Sequence, residues 1–455
     1  MMPTFLWTDI MIWGLFALII VGIRQIASDA QKRKQWCDVF KSKTAMISFI
    51  ILLFYFAIAL IDSIHFKVDP SAENTTNKEL ISLLDIGLEH LILNVERTYS
   101  APFALNEYSS SVVYDESGNV QQVYLPLKNV ARHINMYQSL VAYDVLTQTG
   151  WAFLIALMAM AALILIHGYF SFKEVALRLS SKSEGLPWLV AYTTLFILIF
   201  IGTWFYLLSF DYHVLGTNKV GVDVLYQSLK SIRTGVLIGG LTTIVMLPLA
   251  LVLGVSAGYF KGWIDDVIQY LYTTLNSIPG VLLIAAAVLV MQSIMSTHAG
   301  WFGSTEERAD MRLLFLILIL GMTSWTGLCR LLRAETLKIS QIEYVTAAKA
   351  FGLNPFMIIK KHILPNLVHL ILIALVLDFS GLVLAEAVLS YVGVGVDPTM
   401  PSWGNMINQA RLEMAREPMV WWSLLSAFIF MFVLVLAANL FADRVQWVLN
   451  PRSEK

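Results

Sequence analysis

Few residues in this sequence combine a reactive type with a useful spacing. Asp378 and Glu386 lie eight positions apart inside the apolar stretch 366–390. On a helix of about 3.6 residues per turn that separation puts them roughly 80° apart around the axis. An ionisable group in such a stretch is costly and by default marks a site; it serves equally to bond a neighbouring helix or to sit near a polar boundary. His167, His298 and His369 are scattered, so no metal-ligand spacing emerges, and no Ser/His/Asp arrangement is defined by spacing. No Gly-Lys dipeptide occurs, which makes a Gly-x-x-x-x-Gly-Lys-Ser/Thr nucleotide loop impossible. The two cysteines, Cys37 and Cys329, are too few and too far apart for a disulfide scaffold or a cysteine-rich metal site. The expectation is a chain without covalent chemistry of its own.

The segment 334–366 has the densest local signals. Ser340-Gln-Ile-Glu343 fits a capping box, so a helix is expected to start there. Thr346, Ala347 and Ala348 follow, and Gly352 sits where a helix C-terminal glycine belongs. Asn354-Pro355 enforces a turn, and a second helical run from Phe356 to Ile363 reaches Leu364-Pro365. Small residues let another backbone approach closely, so this short helix suits a docking surface. The plainer reading is a structural turn between two apolar spans. Gly235-x-x-x-Gly239 and Gly254-x-x-x-Gly258 read as sites of close helix packing, and Pro248 and Pro279 can kink their helices.

The elements around these residues are membrane helices. Of 455 residues, 57% are hydrophobic and 14% charged, against about 25% charged in ordinary soluble domains. Mean hydropathy is +0.68. A net charge of −1 argues against a nucleic-acid partner. A span needs roughly 20 apolar residues, and nine stretches qualify: 6–26, 45–66, 150–170, 188–210, 234–258, 265–292, 311–333, 366–390 and 421–443. Trp7, Trp151, Trp188, Trp263, Trp421 and Trp447 mark their edges. Lys32, Arg33, Lys34, Lys41, Lys43, Lys173, Arg178, Lys182, Lys338, Lys349, Lys360, Lys361, Arg444, Arg452 and Lys455 fall in alternate loops, which the positive-inside rule assigns to the cytoplasm. Arg97, Lys128 and Arg132 are diluted in a long segment on the other side. The N-terminus is then outside, as an uncleaved anchor, and the C-terminus inside. Arg330 and Arg333 are expected to snorkel to headgroups.

Residues 67–149 are the one sizeable polar segment, read as extracytoplasmic. Ser111–Tyr114 and Val120–Leu125 alternate around Asp115–Asn119 and predict a hairpin, hence a small α+β module or a partly ordered spacer. Asn74-Thr-Thr76 fits a glycosylation acceptor.

Thr346-Ala-Ala-Lys-Ala-Phe-Gly352 followed by His362-Ile-Leu-Pro365 resembles the EAA loop of ABC importer permeases. Further segments resemble the C-type permeases of dipeptide and oligopeptide importers: Leu215-Gly-Thr-Asn-Lys-Val-Gly-Val-Asp-Val-Leu225, Ala257-Gly-Tyr-Phe-Lys-Gly-Trp263, Ile278-Pro-Gly280, Ile363-Leu-Pro-Asn366, Ala385-Glu-Ala-Val-Leu-Ser390, Pro401-Ser-Trp-Gly-Asn-Met406 and Asn450-Pro-Arg452. Val39 to Ala45, with Asp69-Pro70 further on, resembles the first core span. Thr346, Asn218 and Val222 replace the usual Glu, Asp and Arg.

The resemblance implies an all-α polytopic membrane protein with a type I ABC importer permease core. Residues 39–70 and 211–455 would form the core, with additions at 1–38, 71–149 and 150–210. It implies import of di- or oligopeptides with a homologous B-type permease, two ATPase subunits binding ATP and Mg, and an extracytoplasmic binding protein, in the bacterial inner membrane. Glu343, Thr346, Ala347, Ala348, Gly352, Leu364 and Pro365 would form the ATPase-coupling loop, and Asp378 and Glu386 could meet a peptide amino group. Other cargo (nickel, glycosides, antimicrobial peptides), export, or a membrane sensor using the insertion are the alternatives.

Overall fold

The computed structural model describes residues 2–67, 80–114, 120–130, 138–167, 185–298, 300, 302 and 304–449. Asp69-Pro70, Asn74–Thr76, the turn Asp115–Asn119, Arg132, Lys173, Arg178, Lys182 and Asn450 to Lys455 lie outside them.

Strand β1 (Met2–Thr4) leads into α1 (Trp7–Ser28), α2 (Ala30–Phe40) and α3 (Lys43–Asp62), and β2 (His65–Lys67) then returns antiparallel to β1. Thr4 of β1 pairs with His65 of β2. Strand β3 (Leu80–Ser82) completes the sheet in the order β1-β2-β3 and runs into α4 (Leu83–Gly87) and α5 (Glu89–Leu93). The expected hairpin is β4 (Ser111–Tyr114) against β5 (Val120–Val123), with Ser111 opposite Val123. Helices α6 (Gln138–His167) and α7 (Trp188–Leu208) follow. Next come α8 (Val224–Phe260), α9 (Trp263–Ser277), α10 (Gly280–Thr297) and α11 (Thr305–Ile339). The short α12 (Glu343–Ala350) and α13 (Pro355–Ile358) pass through a π-helical turn, Ile359–Ile363, into α14 (Leu364–Val392). Helices α15 (Trp403–Glu413) and α16 (Trp422–Leu449) close the chain.

Among the described residues nine helices are long and apolar enough to cross a membrane. They follow the nine expected stretches with one correction: the span expected at 265–292 is two helices. Pro279 lacks an N–H and holds Ile278 extended (φ −93°, ψ 130°), so α9 ends before it and α10 begins after it. Of the two, α10 is long and apolar enough to cross; α9, of 15 residues, has Asp265 and Asp266 in its first turn and buries one face through Ile268 and Tyr272. Helices α8 and α11 run to 37 and 35 residues, longer than the apolar stretches alone. Several charges in their flanks are paired within the protein: Lys230 of α8 with Asp62 and Asp85, and Arg312 and Arg333 of α11 with Asp397 and Asp265.

The chain forms two compact units. The first comprises Met1–Phe5, Trp36–Gly235 and Pro401–Ala437, and the second Leu6–Gln35, Val236–Met400 and Ala438–Lys455. In the first, α6 and α7 pair along their lengths, and α7 packs on α3. Trp204 Nε1 donates to Thr149 Oγ1 at 2.9 Å across the pair. Leu127 and Val130 share a core with Leu208, Tyr212 and Val214, so the polar insertion is built onto the α6–α7 pair. Leu88 and Leu91 pack on Leu225 and Tyr226 of α8. In place of apolar contacts, Lys230 of α8 is enclosed by Asp62, Ser82 and Asp85.

A second buried polar centre joins the insertion to the segment before α8. His213 Nδ1 lies 2.8 Å from Asp223 Oδ2, and its Nε2 faces Glu96 Oε1 at 3.7 Å, an electrostatic contact too long for a hydrogen bond. Asp223 Oδ1 accepts from the N–H of Leu225 at 2.7 Å, capping α8. Glu96 accepts from the backbone N–H of Lys128 and Asn129 at 3.0 and 2.8 Å. Burial alone works to lower the His213 pKa; the hydrogen bond to Asp223 and the charge of Glu96 overcome it and push the value up to about 9. Burial works to raise the Glu96 carboxyl, and His213 with the two backbone donors outweighs it and holds the group below the usual range. An unfolded histidine titrates near 6.5. A raised folded value stabilises fully below about pH 6.5, and that contribution is lost as pH rises through about 9. In a pH series of thermal unfolding, wild type is therefore expected to exceed His213→Gln most at pH 6.5 and below, the gap closing beyond pH 9. A gap constant across that range contradicts an imidazolium in this cluster.

In the second unit α1 packs on α11. The N–H of Thr8 donates to Asp310 Oδ2 at 3.2 Å, and the Thr8 hydroxyl donates to Asp310 Oδ1. A carboxylate at the N-terminus of α1 satisfies donors that the first helical turn leaves open. Gly254 and Gly258 of α8 lie against α11: a Cβ at Gly258 would sit 2.6 Å from Thr336 Cβ, and one at Gly254 2.8 Å from the Cys329 carbonyl. Arg333 does not snorkel. Its Nε and Nη2 donate to Asp265, in the first turn of α9, at 2.5 and 2.7 Å.

Candidate functional site

The loop at 334–366 is a two-turn helix with one buried and one exposed face. Helix α11 closes through Ser340, whose hydroxyl donates to the Leu337 carbonyl at 2.8 Å. The capping box expected at Ser340–Glu343 is therefore not formed. Ile342, in extended conformation, is the N-cap, and α12 begins at Glu343. Val345 is fully buried and Ala348 only 6% exposed, both set among Tyr259, Tyr272, Leu332, Ile339 and Leu367. That cluster ties α12 to α8, α9, α11 and α14. The Lys349 ammonium lies 4.5 Å from the centre of the Tyr259 ring.

The end of α12 follows from backbone chemistry. Gly352 has φ +74°, a left-handed conformation that favours glycine. Its N–H donates to the Lys349 carbonyl at 3.0 Å, and the Leu353 N–H reaches back to Ala348 at 3.2 Å. This is a Schellman closure, with Leu353 packed on the cluster beneath. Asn354 then caps α13 by accepting from the Phe356 N–H at 3.1 Å.

Of the residues expected at a docking surface, Glu343, Thr346 and Ala347 are exposed together, and Ala348 faces inward. The Thr346 hydroxyl donates to the Glu343 carbonyl at 2.9 Å, so it bonds its own helix. Gly352 forms the exposed corner, while Leu364 is partly buried and Pro365 exposed at the start of α14. Two residues not anticipated stand out: Phe351 is 86% and Phe356 73% exposed. The sequence signal for them was their place on either side of the Gly352 and Asn354-Pro355 corners, where a side chain has no helix neighbour to cover it.

Asp378 and Glu386 differ in setting. Glu386 is 3% exposed and accepts from Ser390 Oγ at 2.7 Å, one turn along its own helix. Asp378 is half-buried on α14, with no hydrogen-bond partner among the described residues.

Among the described residues, then, nine helices are long and apolar enough to cross a membrane, and a short helix with one buried and one exposed face lies in the chain between two of them. Residues 250–455 match the family of binding-protein-dependent transport system inner membrane components. The chain is 30% identical over 240 residues to the glutathione transport system permease protein GsiD of Pectobacterium atrosepticum, covering 53% of this chain and 73% of that protein. It is 28% identical to the dipeptide transport system permease protein DppC of Bacillus subtilis, over 53% of this chain and 69% of the relative. It is 29% identical to the oligopeptide transport system permease protein OppC of Mycobacterium tuberculosis, over 53% and 76%. The chain belongs to this family, as a multi-pass ABC importer permease of the dipeptide and oligopeptide type.

Proposed function

We propose that this chain is one transmembrane subunit of an ATP-driven importer of di- or oligopeptides. It works with a homologous B-type permease, two ATPase subunits that bind ATP and Mg, and an extracytoplasmic binding protein. The chain itself is non-catalytic. The observation that supports this reading best is α12, whose exposed face and neighbouring Phe351 and Phe356 suit a groove in a partner. Its inner face is packed on α8, α11 and α14. A push on α12 is thus delivered to three helices at once, since close-packed interiors transmit strain. The ATPases close on ATP, α12 carries the motion inward, and a path between the two permeases changes the side it faces. The different affinity of ATP for the two states drives the change.

In this reading the loop 334–366 and the C-terminus are cytoplasmic, and β1 and the insertion are extracytoplasmic. Residues 39–70 and 211–455 form the transport core. The residues 1–38, 71–149 and 150–210 are additions, and the two spans in 150–210 pack outside the core and position the polar module against the binding protein or an envelope partner. Asp378 is the better candidate of the two carboxylates for the substrate path, because Glu386 is already bonded to Ser390.

The test is Ala347→Trp in the reconstituted transporter. Ala347 is exposed, so the bulky ring obstructs docking and leaves the cluster beneath α12 intact. Peptide-stimulated ATP turnover and uptake are both expected to fall at least about tenfold, equivalent to some 1.4 kcal/mol of coupling. If both survive unchanged, the coupling assignment fails.

A further inference from the structure

We propose that the break between α9 and α10, residues 276–280, lines a hydrated path through the membrane and contacts the main chain of the transported peptide. The proposal rests on the peptide-import reading and adds to it a wall that the peptide meets. The break lies at membrane depth. Exposed apolar residues flank it on both sides, Trp263, Val267 and Tyr270 on α9 and Leu282, Leu289 and Val290 on α10. At about 1.5 Å per residue, the 15 residues of α9 carry the chain roughly 22 Å from Trp263 to the break. The Thr326 hydroxyl donates to Asn276 Oδ1 at 3.1 Å, and Thr326 falls within the uncharged stretch of α11 between Arg312 and Arg330.

No helical ladder crosses the break, because Ile278 (φ −93°, ψ 130°) and Pro279 (φ −55°, ψ 120°) are extended. The Ile278 N–H donates to the Leu275 carbonyl at 3.3 Å, and the Leu282 and Leu283 N–H groups turn back to the Pro279 carbonyl at 2.9 and 3.1 Å. The Asn276 and Ser277 carbonyls and the Gly280 and Val281 N–H groups are left outside both ladders. Residues 276–280 are all exposed, and a Cβ at Gly280 would meet no atom within 4 Å. Thr326 holds the Asn276 amide by its oxygen, which leaves Nδ2 as a further donor.

Lipid tails satisfy none of these groups, and irregular backbone persists at that depth only where protein buries it or a water-filled cavity meets it. Asp378 favours the cavity. Leu367, Ile371 and Ala374 of α14 pack in the same apolar cluster as Ile268, Tyr272 and Leu275 of α9. Asp378 comes next on that face of α14, one turn past Ala374, as the break comes next after Leu275. On both helices the apolar cluster thus gives way to polar groups, and a carboxylate in a span faces polar surroundings. A peptide main chain presents N–H groups and carbonyls whatever its side chains, and the break presents the complement of both. Such a wall reads the backbone that all di- and oligopeptides share.

Cysteine accessibility in the full transporter in proteoliposomes tests the wall, in a Cys37→Ser, Cys329→Ala background. The probe is a membrane-impermeant, positively charged methanethiosulfonate, which the thiolate attacks. Hydrocarbon excludes the probe and keeps a thiol neutral. Ser277→Cys is expected to react at least about tenfold faster than Leu18→Cys, a position 60% exposed within the apolar helix α1. Thr273→Cys, one turn earlier and also exposed, should react like Ser277→Cys and leaves the break itself unaltered. Trialanine with binding protein and ATP should slow both reactions at least about twofold, as half-occupancy of the path requires, and the attached group should block uptake. Reaction of both no faster than Leu18→Cys, with trialanine import intact, overturns the path and leaves the import reading standing. Fast reaction that trialanine does not slow, and that spares uptake, overturns the peptide contact. A wild-type transporter that takes up no trialanine overturns the import reading and the peptide contact with it.

Discussion

Lys230→Met is expected to destabilise the first unit by about 3–5 kcal/mol, the usual loss when one partner of a buried ion pair is removed. The ammonium fills all three of its donor positions: Asp62 Oδ1 at 2.6 Å, Ser82 Oγ at 2.8 Å and Asp85 Oδ2 at 2.9 Å. The carboxylates are locked in turn, Asp62 by the Ser82 hydroxyl at 2.7 Å and Asp85 by the Tyr226 hydroxyl at 2.7 Å. Asp62 and Asp85 are 2% and 4% exposed. Without the cation, two buried negative charges face each other uncompensated. Thermal unfolding of the detergent-purified chain measures the loss. Adding Asp62→Asn and Asp85→Asn to the variant should recover a substantial part of it, because the neutral amides remove the repulsion. A Lys230→Met protein within about 1 kcal/mol of wild type shows that these charges are solvated.

Gly221→Ala is expected to cost about 2–5 kcal/mol, from a left-handed residue without glycine and from overpacking against backbone. Gly221 has φ +75°, and a Cβ there would lie 1.8 Å from the carbonyl oxygen of Glu96. That neighbour is main chain and has no rotamer to yield. Its N–H donates to the Gly221 carbonyl at 3.1 Å, so relieving the clash breaks this bond as well. The displacement moves the Glu96 carboxylate away from His213 and from the amides of Lys128 and Asn129. The variant should therefore also lose the pH dependence contributed by His213. Loss of stability with that dependence intact shows that the Glu96 carboxylate holds its place.

The loop around Asn218 shows how a departure from a family pattern can be read structurally. Asn218 Oδ1 accepts from the N–H groups of Val220 and Val222, both at 3.0 Å, and so shapes the turn that contains Gly221. An amide serves for this as well as a carboxylate, which accounts for Asn where the family has Asp. Thr346 is a different case: its hydroxyl returns to the Glu343 carbonyl and puts no charge on the exposed face. The exposed charges of α12 are Glu343 in its first turn and Lys349 in its last.

Spans, hairpin and the Gly352 corner were legible because each rests on a local rule: apolar length, alternation, or a positive φ that only glycine adopts cheaply. Legibility failed where two local rules competed. Ser340 and Glu343 have the spacing of a capping box, yet Ser340 still belongs to the end of α11 and bonds Leu337. The apolar run 265–292 has the length of one span, yet Pro279 divides it. Small residues at 346–348 suggested one docking face, but a helix turns Ala348 about 100° from Ala347 and buries it.

By itself the sequence determined that this protein is a polytopic membrane transport subunit with a short helix exposed between two spans. Apolar length, turn chemistry and the family's motifs are all properties of contiguous residues. Only the tertiary structure decided which charges are partners. Lys230 meets Asp85 and Asp62 across 145 and 168 residues of chain, and Arg312 meets Asp397 across 85. No local pattern encodes such pairings, because they depend on how distant helices pack.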